Sequence, residues 1–222
     1  MLNLSNRLFC VNLQNYRVGM KFRVLITFAV AVAMTALVGC NDDQTKVEQQ
    51  RTTIERYLTS SHSPRLIPKE EVANSIEYNP PFYERLTPDV YRYIATYYAT
   101  DRDLRNEVEM GDVLELTFTA YKFSGSRPSL SNVYYTNDAA VLAEMESEGL
   151  DTKFWSTEPL VVKMGETSII KGVERSLEGC READQVEVYM TQEAAYGNKA
   201  VGLVVKGTSL VWYYTIDKVT KN

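Results

Sequence analysis

Glu158-Pro-Leu-Val-Val-Lys-Met-Gly165, Ser168-Ile-Ile-Lys-Gly-Val173, Leu177-Glu-Gly179, Ala194-Ala-Tyr-Gly197 and Thr208-Ser-Leu-Val-Trp-Tyr-Tyr-Thr-Ile216 follow one another in the last third of this 222-residue chain. The first and last of them alternate. Leu160, Val162 and Met164 share one face of an extended segment, and Leu210, Trp212, Tyr214 and Ile216 share another. Upstream, Leu114, Leu116, Phe118 and Ala120 form a third such face, backed by Glu115, Thr117 and Thr119; Val186, Val188 and Met190 form a fourth. Lys171–Glu178 is spaced as a short helix, with Val173 and Leu177 at i and i+4 and Gly179 placed to end it. Ala139–Glu148 is built of good helix formers. Val90–Tyr98, rich in aromatic and β-branched residues, reads as a further strand. Strands gathered about one short central helix, without βαβ alternation, predict an α+β fold: an antiparallel β-sheet wrapped over Lys171–Glu178. Leu114, Leu116, Val162, Leu177, Val188, Leu210 and Ile216 are its expected core.

Composition narrows the chemistry. There is one histidine, so a metal centre with several His ligands is excluded and a Ser/His/Asp triad would have to use His62. His62 lies in Ser60-Ser-His-Ser-Pro64, which reads as a solvated turn. Residues 1–39 hold four basic residues and no acid. Lys21 and Arg23 precede an apolar run from Val24 to Val38, the pattern of a signal-peptide core. Leu37-Val-Gly-Cys40 then resembles a bacterial lipobox, with Cys40 as the acylated first residue of the mature protein and residues 1–19 as a mis-assigned start before Met20. Beyond residue 39 remain 20 basic and 29 acidic residues, a net charge of about −9. That balance argues against nucleic acid, whose phosphates need basic partners. Cys180 reads as a small buried hydrophobe.

The expected organisation is a signal peptide over 1–39, a lipid-anchored tether and linker over 40–85, and one domain over 86–222 with an insertion near 138–157. Asn41-Asp-Asp43 is read either as a surface-export signal or as a solvated tether. Residues 42–60 carry only Val47, Ile54 and Leu58 as aliphatics, a thin stripe that suits a spacer.

In order and spacing, the five quoted motifs resemble the FKBP family of peptidyl-prolyl isomerases, over about Val90 to Val219. The resemblance implies a half-buried sheet folded over one helix, and a hydrophobic cup that binds proline-containing polypeptides without metal or organic cofactor. It implies that the Ile170 backbone N–H and the Tyr196 hydroxyl are the catalytic donors to substrate carbonyls. The implied cup is lined by Phe118, where a Tyr is usual, with Tyr134, Tyr135, Leu160, Ile169, Val173, Leu203, Val204 and Trp212. The chain departs from the family at three places. Val173 stands where a Trp forms the floor. The Phe-Asp segment after the first core strand is represented by Val133-Tyr-Tyr-Thr-Asn137, preferred for its nearness to Phe118, or by Lys153-Phe-Trp-Ser156, and neither has the acid. Val205-Lys206-Gly207 replaces the common loop prolines. These departures imply weak activity. Three functions follow from the sequence: an envelope isomerase anchored to the membrane through Cys40, a peptide-binding module using the same cup, and a scaffold whose contacts come from the tyrosines of Tyr78–Tyr98.

Overall fold

A computed structural model describes residues 43–153 and 155–222. The expected signal segment, the Met20 start, Cys40 and Asn41-Asp42 lie outside the described residues, as does Phe154.

Eight strands form one sheet: β1 (Ile67–Pro68), β2 (Phe82–Thr87), β3 (Val90–Ile94), β4 (Val113–Phe123), β5 (Val133–Thr136), β6 (Leu160–Lys163), β7 (Gln185–Met190) and β8 (Ser209–Thr220). Their order is β1-β2-β3-β7-β8-β4-β5, with β6 also paired to β4. Every pairing except the short β1–β2 one is antiparallel. β5 and β6 follow one another along a single edge of β4: β6 pairs with Val113–Leu116 and β5 with Thr119–Tyr121. Between them the chain leaves the sheet and forms a helix over Ala139–Ser147, capped by the Asp138 carboxylate, which accepts from the Ala140 and Val141 N–H groups. The central helix runs from Lys171 to Leu177. Both helices end one residue before the bounds read from the sequence, and the strand expected over Val90–Tyr98 ends at Ile94, where a turn begins.

The inner face of the sheet is the expected one. Leu114, Leu116, Phe118 and Ala120 of β4, Val186, Val188 and Met190 of β7, and Leu210, Trp212, Tyr214 and Ile216 of β8 form one buried cluster with Val173 and Leu177 of the central helix. Cys180 is fully buried among them, and burial pushes its thiol up to about 11, so it is a packing group. The helix is short, and its C-terminal carbonyls need partners. Arg92 of β3, buried on the same face, donates to the Ser176 carbonyl (2.8 Å) and the Glu178 carbonyl (2.6 Å) while Glu84 neutralises it.

The segment read as a spacer is a second core. Residues 47–56 are helical (α1) and continue into a π-helical turn over Tyr57–Ser61. Ile54, Tyr57, Leu58 and then Leu66 are buried on the outer face of the sheet against Tyr83, Tyr91, Tyr93, Phe123, Tyr189 and Val211. The tyrosine-rich stretch is accordingly absorbed into packing at Tyr83, Tyr91 and Tyr93, while Tyr78 stays exposed. His62 is also corrected. It is 7 % exposed, with its ring set edge-on to Tyr57 and Tyr93. Its Nδ1 faces the Pro64 carbonyl and its Nε2 the Glu187 carboxylate at 2.9 Å. Both partners can only accept, so the site suits the doubly protonated ring. Burial opposes the charge, but the bonds to Glu187 and Pro64 outweigh it and hold the imidazole above its ordinary range.

Two outcomes follow. Leu58→Ala should cost about 2–5 kcal/mol in denaturant unfolding of the full chain, on the same scale as Leu177→Ala; a spacer would leave stability unchanged. A raised imidazole contributes its stabilisation fully below the unfolded value of about 6.5 and loses it as pH rises through the folded value. In a profile measured from pH 5.5 to 8.5, this component of stability should therefore fall as pH rises from about 6.5 through the raised folded value and level off above it, and His62→Phe should flatten it.

Candidate functional site

Each expected residue of the cup can be placed. β4 and β8 deliver Phe118 and Trp212 to the inner face, where their rings stack with centroids 4.5 Å apart and planes 8° from parallel. β5 sets Tyr134 beside them. The Trp212 indole N–H donates to the Tyr134 hydroxyl oxygen at 2.7 Å. Tyr134 meets the Tyr196 ring edge-to-face, centroids 6.3 Å apart. Indole can only donate, so the Tyr134 hydroxyl keeps its own proton to give, and the neighbouring Tyr196 hydroxyl is an acceptor for it. Burial raises both phenols; at Tyr196 the neighbouring Tyr134 hydroxyl partly offsets this. Both stay neutral through the physiological range.

Ile169 and Ile170 are half-buried against the same cluster. Ile170 sits at the N-cap of the central helix, and its carbonyl accepts from the Val173 N–H (2.9 Å) and the Glu174 N–H (3.0 Å). The carbonyl is thus turned into the helix. No described residue accepts from the Ile170 N–H. Leu160, at the start of β6, is half-buried against the same core. Tyr196 rides on the loop that follows a short 3-10 turn over Gln192–Ala194, and this loop folds back by a bond from the Gly207 N–H to the Gly197 carbonyl (2.9 Å).

The cup has a closed floor. Phe118, Trp212, Val204 and Val173 are 2 %, 4 %, 2 % and 0 % exposed. Val173, where the sequence reads as a lost floor, is itself fully buried in the core cluster. Tyr134, Leu160, Ile169, Ile170 and Tyr196 form the partly exposed rim. Two expected lining residues are more exposed than the rest. Leu203 is 63 % exposed on the loop, and Tyr135 is exposed, with its ring edge against Phe118 (5.3 Å) and Trp155 (6.3 Å). Two clefts lie elsewhere, one between the central helix and Thr87–Val90 and one on the outer face of the sheet; neither is lined by Ile170, Tyr196 or Trp212.

Sequence reasoning missed Asn137. Where an acid is sought, this buried carboxamide accepts from the Phe118 N–H (2.7 Å) and donates to the carbonyls of Leu116 (2.9 Å) and Glu158 (3.0 Å). It fastens the end of β5 to β4 and to the chain entering β6. A polar residue closing an alternating strand is the signal that could have marked it.

Comparison with solved structures returns the N-terminal domain of FKBP42 from Arabidopsis thaliana, at 11 % identity and a TM-score of 0.43, covering 66 % of this chain and 96 % of that one. It also returns a peptidyl-prolyl cis-trans isomerase from Pseudomonas syringae pv. tomato, at 12 % identity and a TM-score of 0.49, covering 80 % and 96 %. No curated protein matches the chain. The family model described as FKBP-type peptidyl-prolyl cis-trans isomerase matches residues 136–215, from the end of β5 through the central helix and the Tyr196 loop into β8, and this is the family that the chain resembles.

Proposed function

We propose that the cup binds a prolyl residue of a polypeptide and speeds cis–trans rotation of the preceding amide. The observation that supports this reading is that the Ile170 N–H, which no described residue accepts, and the Tyr196 hydroxyl both belong to partly exposed residues packed beside the stacked rings of Phe118 and Trp212. Rotation about an X–Pro bond has a barrier of about 18–20 kcal/mol, set by amide resonance. The planar amide has the larger dipole and is the better solvated. Moving it from water onto an apolar surface disfavours it relative to the twisted form. The two donors hold the flanking carbonyls while the bond turns. Nothing in this scheme needs a nucleophile or a group that titrates near pH 7, and Tyr134 and Tyr196 supply only neutral dipoles.

The closed floor favours a second reading, a peptide-binding module. Phe118, Val173 and Trp212 are almost wholly covered, so little apolar surface is left for a prolyl ring, which would be less fully desolvated and its rotation little accelerated. Line-shape or exchange NMR on a panel of Xaa-Pro peptides, with the full chain, separates the two. Tyr196→Phe should lower the catalysed rate by about 0.5–1.5 kcal/mol of transition-state stabilisation, the worth of one ordinary hydrogen bond. Saturable binding with no rate enhancement by the wild-type chain would leave only the module.

We also propose that the protein is lipid-anchored in a bacterial cell envelope, on the strength of Lys21, Arg23, the Val24–Val38 run and Leu37-Val-Gly-Cys40. Its clients would then be proteins folding outside the cytoplasm. Mass spectrometry of the membrane fraction should find a diacylglyceryl-modified N-terminal Cys40. A soluble mature form with a free Cys40 thiol would refute it.

A further inference from the structure

α1 reaches the Tyr196 loop through a single side chain. The Gln192 N–H donates to Gln50 Oε1 at 2.9 Å, and Gln50 Nε2 donates to the Gly207 carbonyl at 3.0 Å. One carboxamide thus bridges the two ends of the segment 192–207, which has Tyr196 near its start. The base is closed further by main-chain bonds from the Gly197 N–H to the Gln192 carbonyl (2.8 Å) and from the Gly207 N–H to the Gly197 carbonyl (2.9 Å). The next residue of α1 fixes the preceding position. Arg51 forks onto Asp89 at 3.0 and 3.1 Å, and Asp89 accepts from the Thr191 hydroxyl at 2.8 Å and, through its carbonyl, from the Thr191 N–H at 3.1 Å.

The outer part of the loop is held by the buried Val204, by a pair of main-chain bonds between Val201 and Val204 (2.9 Å each) and by the Lys199 N–H to the Tyr196 carbonyl (3.2 Å). Asn198 to Leu203 and Val205 are exposed, and Val204 alone of that stretch is buried. Gly197 and Gly207 both take left-handed backbone conformations, at φ +60° and +72°, so the loop pivots on two residues with the widest conformational freedom. The end that carries Tyr196 is an end that the Gln50 carboxamide grips.

We infer that Gln50 is a positioning residue for Tyr196, so that a helix outside the family-matched segment sets the aim of the hydroxyl at the cup. The inference rests on the reading of Tyr196 as a donor to the substrate carbonyl. Gln is suited to the role because its carboxamide carries an acceptor and a donor at once, one for the N–H at the start of the loop and one for the C=O at its end. Asp or Glu could satisfy only the first. Small errors in the placement of a group that must meet a reacting bond have large kinetic effects, so loosening the base should slow the reaction without unfolding the domain.

The test uses the full chain and two readouts. In Gln50→Ala, hydrogen exchange at the Gly197 and Gly207 amides should accelerate about tenfold or more, while amides of the β4–β8 ladder keep their protection. The catalysed rotation rate should fall about five- to tenfold. Gln50→Glu keeps the acceptor for the Gln192 N–H and should loosen Gly207 more than Gly197. Gln49→Ala, at the exposed neighbouring position, should change neither readout. In a Tyr196→Phe background, Gln50→Ala should slow rotation no further, which a general structural role would not produce. Unchanged loop exchange in Gln50→Ala overturns the clamp whatever the rates do. Faster exchange with additive rate losses overturns the assignment to Tyr196. If the wild-type chain accelerates no Xaa-Pro peptide, the reading of Tyr196 falls and the positioning role falls with it, while the exchange data still decide whether Gln50 holds the loop.

Discussion

The register of the long β4–β8 ladder is the constraint on which the rest depends. It pairs Leu116 with Ile216, Phe118 with Tyr214, Ala120 with Trp212 and Phe123 with Ser209. Side chains alternate across a sheet, so a slip of one residue would exchange the two faces of a strand. In this register the even positions meet the central helix and the outer face receives Tyr121, Phe123, Val211 and Tyr213. The cup floor is a diagonal pair of the ladder. Trp212 lies opposite Ala120, the smallest residue on that face of β4, and the indole extends flat over Phe118. Tyr214, opposite Phe118, is long enough to reach the central helix, where its hydroxyl meets that of Ser176 at 2.9 Å. One register therefore makes the helix platform, the aromatic floor and the bed for α1.

The inner face was legible because β4 contrasts it with polar residues: Glu115, Thr117 and Thr119 alternate with Leu114, Leu116 and Phe118. The outer core was not, because it is built from tyrosines. Tyr91 and Tyr189 are buried with their hydroxyls bonded to Glu55 (3.0 Å) and Glu187 (2.5 Å). A Tyr row reads equally well as a half-wet surface. The stripe on α1 looked thin for a related reason. Val47, Ile54 and Leu58 are spaced seven and four apart, and the turn between the first two is filled by Gln50 and Arg51. Those polar side chains face inward and are spent on Gln192, Gly207 and Asp89. A polar residue at an inward helical position reads from sequence as a gap in the stripe, because its partners lie far along the chain. His62 was misread for the same reason: Glu187, which decides its environment, is 125 positions away.

At the site, the residue types were legible through their order and spacing, and their partners were not. Three family groups are absent together: the usual Tyr hydroxyl at Phe118, the acid after the first core strand, and the indole at Val173. From the sequence each counts as a loss. In the fold the losses are coupled. With no hydroxyl at Phe118 and no acid beside it, the strand end is tied by the neutral Asn137 carboxamide. Val173 fills its place in the core, and the one indole near the floor comes from β8, with its N–H satisfied by Tyr134.

This exchange changes the electrostatics of the cup more than its shape. A buried carboxylate would need paired donors and would impose a charge on the bound amide. The relay from Trp212 to Tyr134 to Tyr196 is neutral throughout, and its direction is fixed at its origin because the indole has no lone pair to offer. Each hydroxyl in turn accepts from behind and donates ahead. The proposed function asks the Tyr196 hydroxyl, on a partly exposed residue, to give its proton to a carbonyl of the bound chain. Rotation of an amide transfers no proton and separates no charge; it only lowers the amide dipole. A cup whose polar groups are neutral, directional and confined to the rim matches that requirement. It leaves the apolar floor to act on the amide by excluding water, and the extent of that exclusion is limited by how little of Phe118 and Trp212 is left uncovered.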